Sequence, residues 1–487
     1  MGMCIFAIPL AGRSQQMPPV LQLTLEKAVE IALSESPTVK VADLEVEKKK
    51  YAKRTAASPL YPQIDIVGQY TRTLKKQVMY MDGAFDMSSM LDPMLVPLAG
   101  GLEQTFAQTG GSNYTPGDYA KNLEAAQAAY AQSHPATTSS DDGISIGRDN
   151  NWTGGLNLNW PVVVPTLWKS LEISSLDVEL AVEAARASRV NMSNDVRKSY
   201  YGALLAQDSY NVFKQNYDNA LLNYNDVKRK YEQGLVAEFD LITADVRVKS
   251  VKPNLIQAQN AFSLATLSLK ALMGIDMDQP IEISGSLKDY EEVLFVDILS
   301  ADTSLAHNSD LKQFDIQTEQ LQKTLELYKA QYWPTIAISG SYMYMSMNND
   351  FRFSSYKWNP TSTVGLSVSI PIFDGLKKHG DVKQTKVSLA QMKWQREDVV
   401  RKLNLSVKNS VNSMTNFVEQ VFSTKDAVKQ AQKGYDISKK RYDTGMGTLL
   451  ELNDAQLANI QVSLAYNQAI YNYLSSKTDL AKILGLE

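Results

Sequence analysis

The chain has 487 residues, 44% hydrophobic and 21% charged, a composition typical of folded rather than disordered proteins. Its 49 basic and 53 acidic residues give a formal charge of 49 − 53 = −4, which is not the basic surface that nucleic-acid binding requires, so no nucleic-acid partner is expected. The single cysteine, Cys4, excludes an internal disulfide and a cysteine-based metal site.

Residues 1–14 are predicted to be the remnant of a signal peptide. An apolar run there precedes a small-x-small pattern, Gly12-Arg13-Ser14, which is typical of a secretory cleavage site. The basic segment that usually opens such a peptide is missing, so an ordinary N-terminal segment and a lipid anchor at Cys4 are the alternatives. No later stretch has about 18 consecutive apolar residues, and no transmembrane helix is predicted.

The same order of segments occurs twice in the chain. Lys-Tyr-Glu-Gln-Gly at 230–234 corresponds to Arg-Tyr-Asp-Thr-Gly at 441–445, an offset of 445 − 234 = 211. The same offset relates Leu-Met-Gly at 272–274 to Ile-Leu-Gly at 483–485. Self-similarity at a fixed offset indicates a structural duplication. We predict repeat 1 at 21–275, a linker at 276–297 and repeat 2 at 298–487.

Each repeat opens with a helix that a proline ends. Leu25–Ala57 is followed by Tyr61-Pro62, and Ile298–Tyr332 by Trp333-Pro334, and the residue before a proline avoids the helical region. Two strands follow, because apolar residues alternate with small or polar ones. We predict strands near 64–74 and 153–160 in repeat 1, and near 336–346 and 363–370 in repeat 2.

The two repeats differ in the loop between these strands. Pro62 and Pro161 lie 161 − 62 = 99 positions apart, but Pro334 and Pro371 only 371 − 334 = 37. Repeat 1 therefore carries an insertion of 99 − 37 = 62 residues in a stretch rich in glycine, serine, aspartate and asparagine. Such an insertion belongs on the surface, and we predict a long loop at 75–150.

Two proline-free stretches, Trp168 to Gln233 and Leu376 to Thr444, predict unusually long helices. Helices of this length span about 100 Å, whereas the average globular helix has about 11–12 residues. Apolar residues at a spacing of three to four, such as Tyr217, Leu221 and Tyr224, predict packing on a neighbouring helix. We predict long helices at 168–233, 238–273, 376–444 and 449–484, with a kink at Pro253.

The strands allow two interpretations. Strands of about 9–11 residues with one apolar face suit a transmembrane β-barrel, but a soluble sandwich gives the same pattern. Four strands cannot close a barrel around an open lumen. If the strands form a barrel, the chain must act as an oligomer.

The duplicated layout and the two Tyr-x-x-Gly tips resemble the TolC family of outer-membrane efflux proteins, over about 21–485. The resemblance implies a mainly α fold with a transmembrane β-barrel, a long periplasmic α-barrel, and a homotrimer in which four strands per protomer complete a 12-stranded barrel. It implies the exit duct of a tripartite efflux pump or type I secretion system in the outer membrane of a Gram-negative bacterium. The implied partners are a periplasmic adaptor, an inner-membrane pump of the RND or ABC type, and outer-membrane lipid.

In that family the tips dock on the adaptor, and we expect the glycines to end their helices at positive φ. The matching positions are Gly234, Leu235, Val236, Gly445, Met446 and Gly447. Gly447 departs from the family, which has an arginine there that closes a salt bridge to the position of Asp240. The resemblance therefore implies a gate that is looser or closed by other contacts.

The resemblance also implies pore-gate residues. Glu451 and Asp454 match acids that ring the pore, and Asp240 and Tyr442 match residues that hold neighbouring tips together. Because Glu451 and Asp454 are three apart, both can lie on one helix face and favour cations in a trimer. Local roles are the alternative, since Thr448-x-x-Glu451 is a capping box and Asp240 lies in a first helical turn.

No enzyme, cofactor or metal site is expected. The three histidines, His134, His307 and His379, lie far apart, and the catalytic and nucleotide-binding motifs HExxH, the P-loop and GxGxxG are absent from the sequence. Alternating Met343, Met345 and Met347 are compatible with Cu(I) binding or with apolar filling. The alternative function is a soluble coiled-coil scaffold or a periplasmic adaptor, against which the duplication argues.

Overall fold

A computed structural model of the chain describes residues 20–79, 144–291 and 304–486, and helical positions 121, 124, 125, 128 and 132. The predicted signal-peptide remnant at 1–14, most of the predicted loop at 75–150 and the beginning of the predicted helix Ile298–Tyr332 lie outside the described residues. The helices are α1 (Leu25–Glu35), α2 (Pro37–Ala57), α3 (Pro165–Glu232), α4 (Glu238–Met273), α5 (Ser309–Ala330), α6 (Lys377–Asp443) and α7 (Leu449–Leu484). The strands are β1 (Leu21–Leu23), β2 (Gln63–Arg72), β3 (Gln77–Met79), β4 (Ile144–Ile146), β5 (Asn150–Val163), β6 (Ile281–Ile283), β7 (Thr335–Asn348) and β8 (Asn359–Ser369).

The chain divides into two compact units. The helical unit consists of Met1–Leu60, Val163–Thr335 and Ser369–Glu487, and it contains all seven of these helices and the β1–β6 pair. The sheet unit consists of Tyr61–Val162 and Ile336–Val368. Helix dominates the described residues, so the prediction of a mainly α fold is confirmed.

Two long helices organise the helical unit, α3 with 68 residues and α6 with 67. α3 packs against α2 and α4, and α6 packs against α5 and α7. α3 also contacts α5 and α7, which joins the two predicted repeats. Several buried residues of α3 are alanines, which let helix backbones approach closely: Ala181, Ala185, Ala203 and Ala220. Among the described helices, none is both long and apolar enough to cross a lipid bilayer.

The core of the helical unit surrounds the parallel β1–β6 pair, in which Leu23 lies opposite Ile283. Tyr200 of α3 is fully buried beside it and donates a hydrogen bond to the Ser284 carbonyl oxygen at 2.7 Å. Burial raises the pKa of the Tyr200 phenol, so the hydroxyl stays protonated and remains a donor. The core also contains Leu204, Leu269, Met273, Ile470, Tyr473 and Leu484.

The predicted linker at 276–297 contains more structure than a connector. It includes β6 and the short 3₁₀ turn Leu287–Tyr290. Glu291, directly after the turn, pairs with Lys425 of α6 and accepts a hydrogen bond of 2.8 Å from the Tyr466 hydroxyl of α7. This segment therefore ties the end of repeat 1 to the helices of repeat 2.

The prediction of a single helix at Leu25–Ala57 is wrong, because α1 ends at Glu35 and α2 starts at Pro37. Ser36 between them has ψ 126°, outside the helical region, as expected for a residue that precedes proline. In repeat 2, α5 begins at Ser309 rather than Ile298 within the described residues, after Asn308 caps it by accepting from the Leu311 amide at 2.9 Å.

The four main strands form a sheet in the order β2-β5-β7-β8, so β2 and β8 are its edges. β2 and β5 are antiparallel, with Ile64 opposite Leu158 and Ile66 opposite Leu156. These residues share one face, while Asp65 and its neighbours Gln63, Gln69, Asn157 and Asn159 share the other. The apolar face continues on β8 and is open, since Ile66 is 86% exposed and Val364 is 87% exposed.

Three methionines on β7, Met343, Met345 and Met347, lie on the polar face of the sheet. The Ser341 hydroxyl on that face is 2.7 Å from the Thr363 hydroxyl of β8. The intervening Tyr342 and Tyr344 share the opposite face, where their hydroxyls are 3.1 Å apart. The Cu(I) interpretation of these methionines stays a prediction.

Part of the predicted loop at 75–150 is a strand pair. β3 and β4 are antiparallel, with Gln77 opposite Ile146, and the next strand, β5, already begins at Asn150. The described ends of this insertion therefore extend the chain in β-structure. Short strands flanked by polar residues carry too few apolar positions for period-two alternation to identify them.

We predict opposite effects of alanine at Gly274 and Gly202. Gly274 has φ +72°, and a Cβ there would lie 2.9 Å from the Glu35 carbonyl oxygen, so Gly274→Ala is expected to lower the free energy of unfolding by about 1–3 kcal/mol. Gly202 lies inside α3, and its Cβ would come no closer than 3.8 Å to Tyr471, so Gly202→Ala should raise it by about 0.5–1 kcal/mol. Thermal unfolding followed by circular dichroism measures both, and equal shifts of Tm would contradict this packing.

Candidate functional site

The two helical hairpins, α3–α4 and α6–α7, end in tips of the same construction. Gly234 follows α3 with φ 72°, and Gly445 follows α6 with φ 74°, so the prediction of positive φ at both glycines is confirmed. The next amide closes the last turn in each tip: Leu235 N donates to the Lys230 carbonyl oxygen at 2.9 Å, and Met446 N to that of Arg441 at 2.8 Å. Both helices thus end in a Schellman motif.

The tips contact each other through a small apolar cluster, which we call the tip cluster. Its buried members come from three helices, Val227 of α3, Ala244 of α4 and Leu449 of α7. Partly buried side chains complete it: Tyr224, Val236, Leu241 and Tyr442. Each chain therefore holds its own two hairpins together at the tips, and predicted docking residue Val236 helps to do so.

The predicted gate residues Tyr442 and Asp240 come from different tips, and the structure brings them together. Burial raises the pKa of the Tyr442 phenol, and the carboxylate of Asp240 acts in the same direction. Lys230 lies 5.1 Å from the centre of the Tyr442 ring, a cation–π contact between the two hairpins. Sequence reasoning missed Lys230 because the two tips are about 200 positions apart in the chain.

Three predicted docking residues, Leu235, Met446 and Gly447, differ in their exposure to solvent. Leu235 and Met446 are 68% and 70% exposed, one apolar side chain at each tip. Gly447 is enclosed, since a Cβ there would lie 3.1 Å from the Cβ of Arg441 and 3.2 Å from the Tyr442 nitrogen. A larger residue at 447 would push the tip away from the end of α6. Steric crowding therefore explains why a glycine occupies this position.

Glu451 has a local role as well as a charge. Thr448 caps α7 by accepting a hydrogen bond from the Glu451 amide at 3.2 Å, which is one half of the predicted capping box. The Glu451 carboxylate pairs with Arg441 of α6 at 3.5 Å, and the Arg441 side chain also donates to the Met446 carbonyl oxygen at 3.2 Å. Both side chains are about half exposed, so the pair contributes about 0–1 kcal/mol. The second tip therefore does contain an arginine that forms an ion pair, but at position 441 rather than 447.

Asp454 is exposed one turn further along α7. Its charge acts on Arg247 of α4, a residue that sequence reasoning missed. Arg247 lies between Ala244 and Val251, which are buried and seven residues apart, and a charged residue in such a seam is a signal that could have found it. Within the part of the chain that the structure describes, no group of three His, Cys, Asp or Glu side chains is placed to hold a metal ion.

The sequence is similar to a known protein family and to individual known proteins. The family described as outer membrane efflux protein matches residues 125–275 and 301–486. Outer membrane protein TolC of Escherichia coli strain K12 is 22% identical over 353 residues, which are 69% of this chain and 70% of that protein. The alkaline protease secretion protein AprF of Pseudomonas aeruginosa is 22% identical over 307 residues, 61% of this chain and 62% of that protein.

The fold also matches a solved structure. The crystal structure of the Campylobacter jejuni CmeC outer membrane channel superposes with a TM-score of 0.67 over 95% of this chain and 85% of that one, at 17% identity. At this identity the match carries the fold alone. It agrees with the long helices and the four-stranded sheet described above.

We predict that the caps of the two tips differ in strength. Thr448→Ala removes the hydroxyl that accepts from the Glu451 amide, so hydrogen exchange in the first turn of α7 should become about fivefold faster, equivalent to about 1 kcal/mol. Ala237 occupies the same place before α4 and makes no side-chain cap, so Ala237→Ser should slow exchange there. Thr448→Ser is the matched control, and unchanged exchange in Thr448→Ala would contradict the cap.

Proposed function

The chain belongs to the family of outer membrane efflux proteins and forms an exit duct in the outer membrane, and we propose that three copies assemble to enclose this duct. In the proposed trimer, the sheet units complete a 12-stranded barrel in the membrane, and the helical units enclose a bore in the periplasm. The tips form the periplasmic entrance. The observation that supports the proposal best is the four-stranded sheet. Within one chain, its two outer strands have unpaired edges among the described strands.

The edges of the sheet support a closed assembly. β2 and β8 each have a partner on one side only among the described strands, and their apolar face is exposed at Ile64, Ile66, Val364 and Leu366. Unpaired backbone groups cost several kcal/mol each in lipid, so an edge beside an apolar face requires another strand. The β8 edge of one copy and the β2 edge of the next provide it, and outer-membrane lipid covers the apolar face.

The helical unit supports association independently. α4 carries a stripe of exposed apolar side chains along its length, and aligned exposed apolar side chains favour an interaction surface. A second copy covers such a stripe by helix packing. The residues of the stripe are Phe239, Ile242, Val246, Ile256, Leu264 and Leu267.

The proposed partners meet the chain at the tips. Leu235 and Met446 offer exposed apolar anchors at a rigid Schellman turn, which suits docking of a periplasmic adaptor. AprF is named as a secretion protein and CmeC as an outer membrane channel. An inner-membrane pump of the RND or ABC type would deliver cargo through that adaptor.

The proposed gate combines the acids of the second tip with contacts between tips. Three copies of Glu451 and Asp454 place six carboxylates around the entrance, which favours cations there. Tyr442 and Asp240 hold the hairpins together. Arg441 and Arg247 oppose the acids, so the entrance presents fewer free negative charges than its carboxylates alone suggest.

Cross-linking of the sheet edges tests the trimer. In a Cys4→Ser background, one cysteine is placed on β2 at position 64 or 66 and one on β8 at 364 or 366, and a short thiol cross-linker is added. Within one chain the two edges lie three strand spacings apart, about 14 Å, so efficient cross-linking requires neighbouring copies. Covalent dimers and trimers are expected after denaturation.

The single-cysteine variants are the matched controls, because each offers only one of the two edges. They should give no trimer band. If every cysteine pair gives monomers alone while the protein remains in the outer-membrane fraction, the proposed closure is wrong.

Bilayer recordings test the acids. Glu451→Gln combined with Asp454→Asn should weaken block of the channel by Mg²⁺ about tenfold, because six negative charges leave the entrance. Glu397→Gln is the control, since Glu397 is an exposed acid of α6 far along the chain from the tip. An unchanged Mg²⁺ block in the double variant would remove the acids from the gate.

A further inference from the structure

Arg247 occupies an unusual position for a charged residue. On α4 it follows buried Ala244 by three residues and precedes buried Val251 by four, so it lies on the face of α4 that packs inward. Its Nε and Nη2 are buried and make no hydrogen bond with the part of the chain that the structure describes. Two buried guanidinium nitrogens without an acceptor are unfavourable even on a partly exposed side chain, so the position favours an anionic partner.

The nearest acid on the same helix is already engaged. Asp245 pairs with Lys249 at 2.7 Å, one turn along the exposed side of α4. Glu451 on the second hairpin pairs with Arg441. These two acids are therefore not available to Arg247 in the arrangement that the structure describes.

Asp454 is placed to be the partner. The tip cluster contains both Ala244 of α4 and Leu449 of α7, and Arg247 and Asp454 lie about one turn beyond these two residues on their helices. Burial lowers the pKa of Arg247, and the charge of Asp454 opposes that shift, as expected for neighbours of opposite charge. Asp454 itself is exposed, so its carboxylate can turn toward Arg247 or away from it.

We infer that Arg247 is a positioning residue of the entrance, which binds the Asp454 carboxylate across the two hairpins of one chain and withholds its charge from the bore. Separation of α4 from α7 releases the carboxylate. The pair thus links the spacing of the hairpins to the cation preference of the entrance. The inference rests on the proposed place of Asp454 at the entrance.

The test is a double-mutant cycle on the full-length protein, with Mg²⁺ block in planar bilayers as the readout. Arg247→Met keeps the length of the side chain but removes the charge, so Mg²⁺ block should tighten about fivefold. Asp454→Asn should weaken block, and the double variant should resemble Asp454→Asn. Arg247→Lys should restore block to near the wild-type value.

Lys249→Met is the matched control, because it removes one positive charge from an exposed side chain on the same helix, two residues away. It should leave Mg²⁺ block unchanged. The inference is overturned if Arg247→Met and Lys249→Met act alike, or if Arg247→Met changes block equally with and without Asp454.

A second readout separates this inference from the proposed gate. If Asp454→Asn alone leaves Mg²⁺ block unchanged, the entrance role of Asp454 is wrong, and thermal unfolding of the same four proteins decides the role of Arg247. Coupled residues should give a double variant with a higher Tm than the two single shifts predict together. Shifts that simply add would show that Arg247 and Asp454 do not interact.

Discussion

Lateral packing along two helices of nearly seventy residues is the constraint on which the rest of the structure depends. A helix of this length cannot bury itself in one compact core, so every turn requires a neighbour. Within the helical unit, α2 and α4 pack against α3, while α5 and α7 pack against α6. Buried alanines along α3 keep these neighbours close. In the proposed trimer, another copy covers the apolar stripe of α4, which one chain leaves exposed.

The duplication gives both hairpins the same ends but not the same chemistry. In each tip the glycine has a positive φ, and the amide that follows it donates a hydrogen bond to the carbonyl oxygen five residues earlier. Within the part of the chain that the structure describes, only the second tip has a threonine cap and an arginine–acid pair between its own two helices. Lys230 of the first hairpin contacts the Tyr442 ring of the second, and the charge of Asp454 acts on Arg247 of the first. At the tips of one chain, electrostatic interactions thus connect two hairpins that differ in their charged residues. In the proposed gate, cations of the first hairpin therefore act together with acids of the second.

Long-range features of the sequence predicted most of the fold. Absence of proline and the offset of 211 located the long helices, whose observed bounds lie within about three residues of those expected. The break at Pro37 was missed, although its physical cause, the restriction that proline places on Ser36, is local and readable. β1 and β6 have three residues each, too few for a periodic signal, and only the folded chain brings them together. The tip glycines could be predicted from their turn, but Arg441 and Arg247 acquire meaning only from acids on another helix.

We propose that one chain is an incomplete structure whose open sheet edges and exposed helix stripe are covered by two more copies. Native mass spectrometry of the protein extracted from membranes in mild detergent tests this most directly, because it counts chains without any substitution. We expect a dominant species of three chains that dissociates only on denaturation. A folded species of one chain at micromolar concentration, with no trimer, would contradict it.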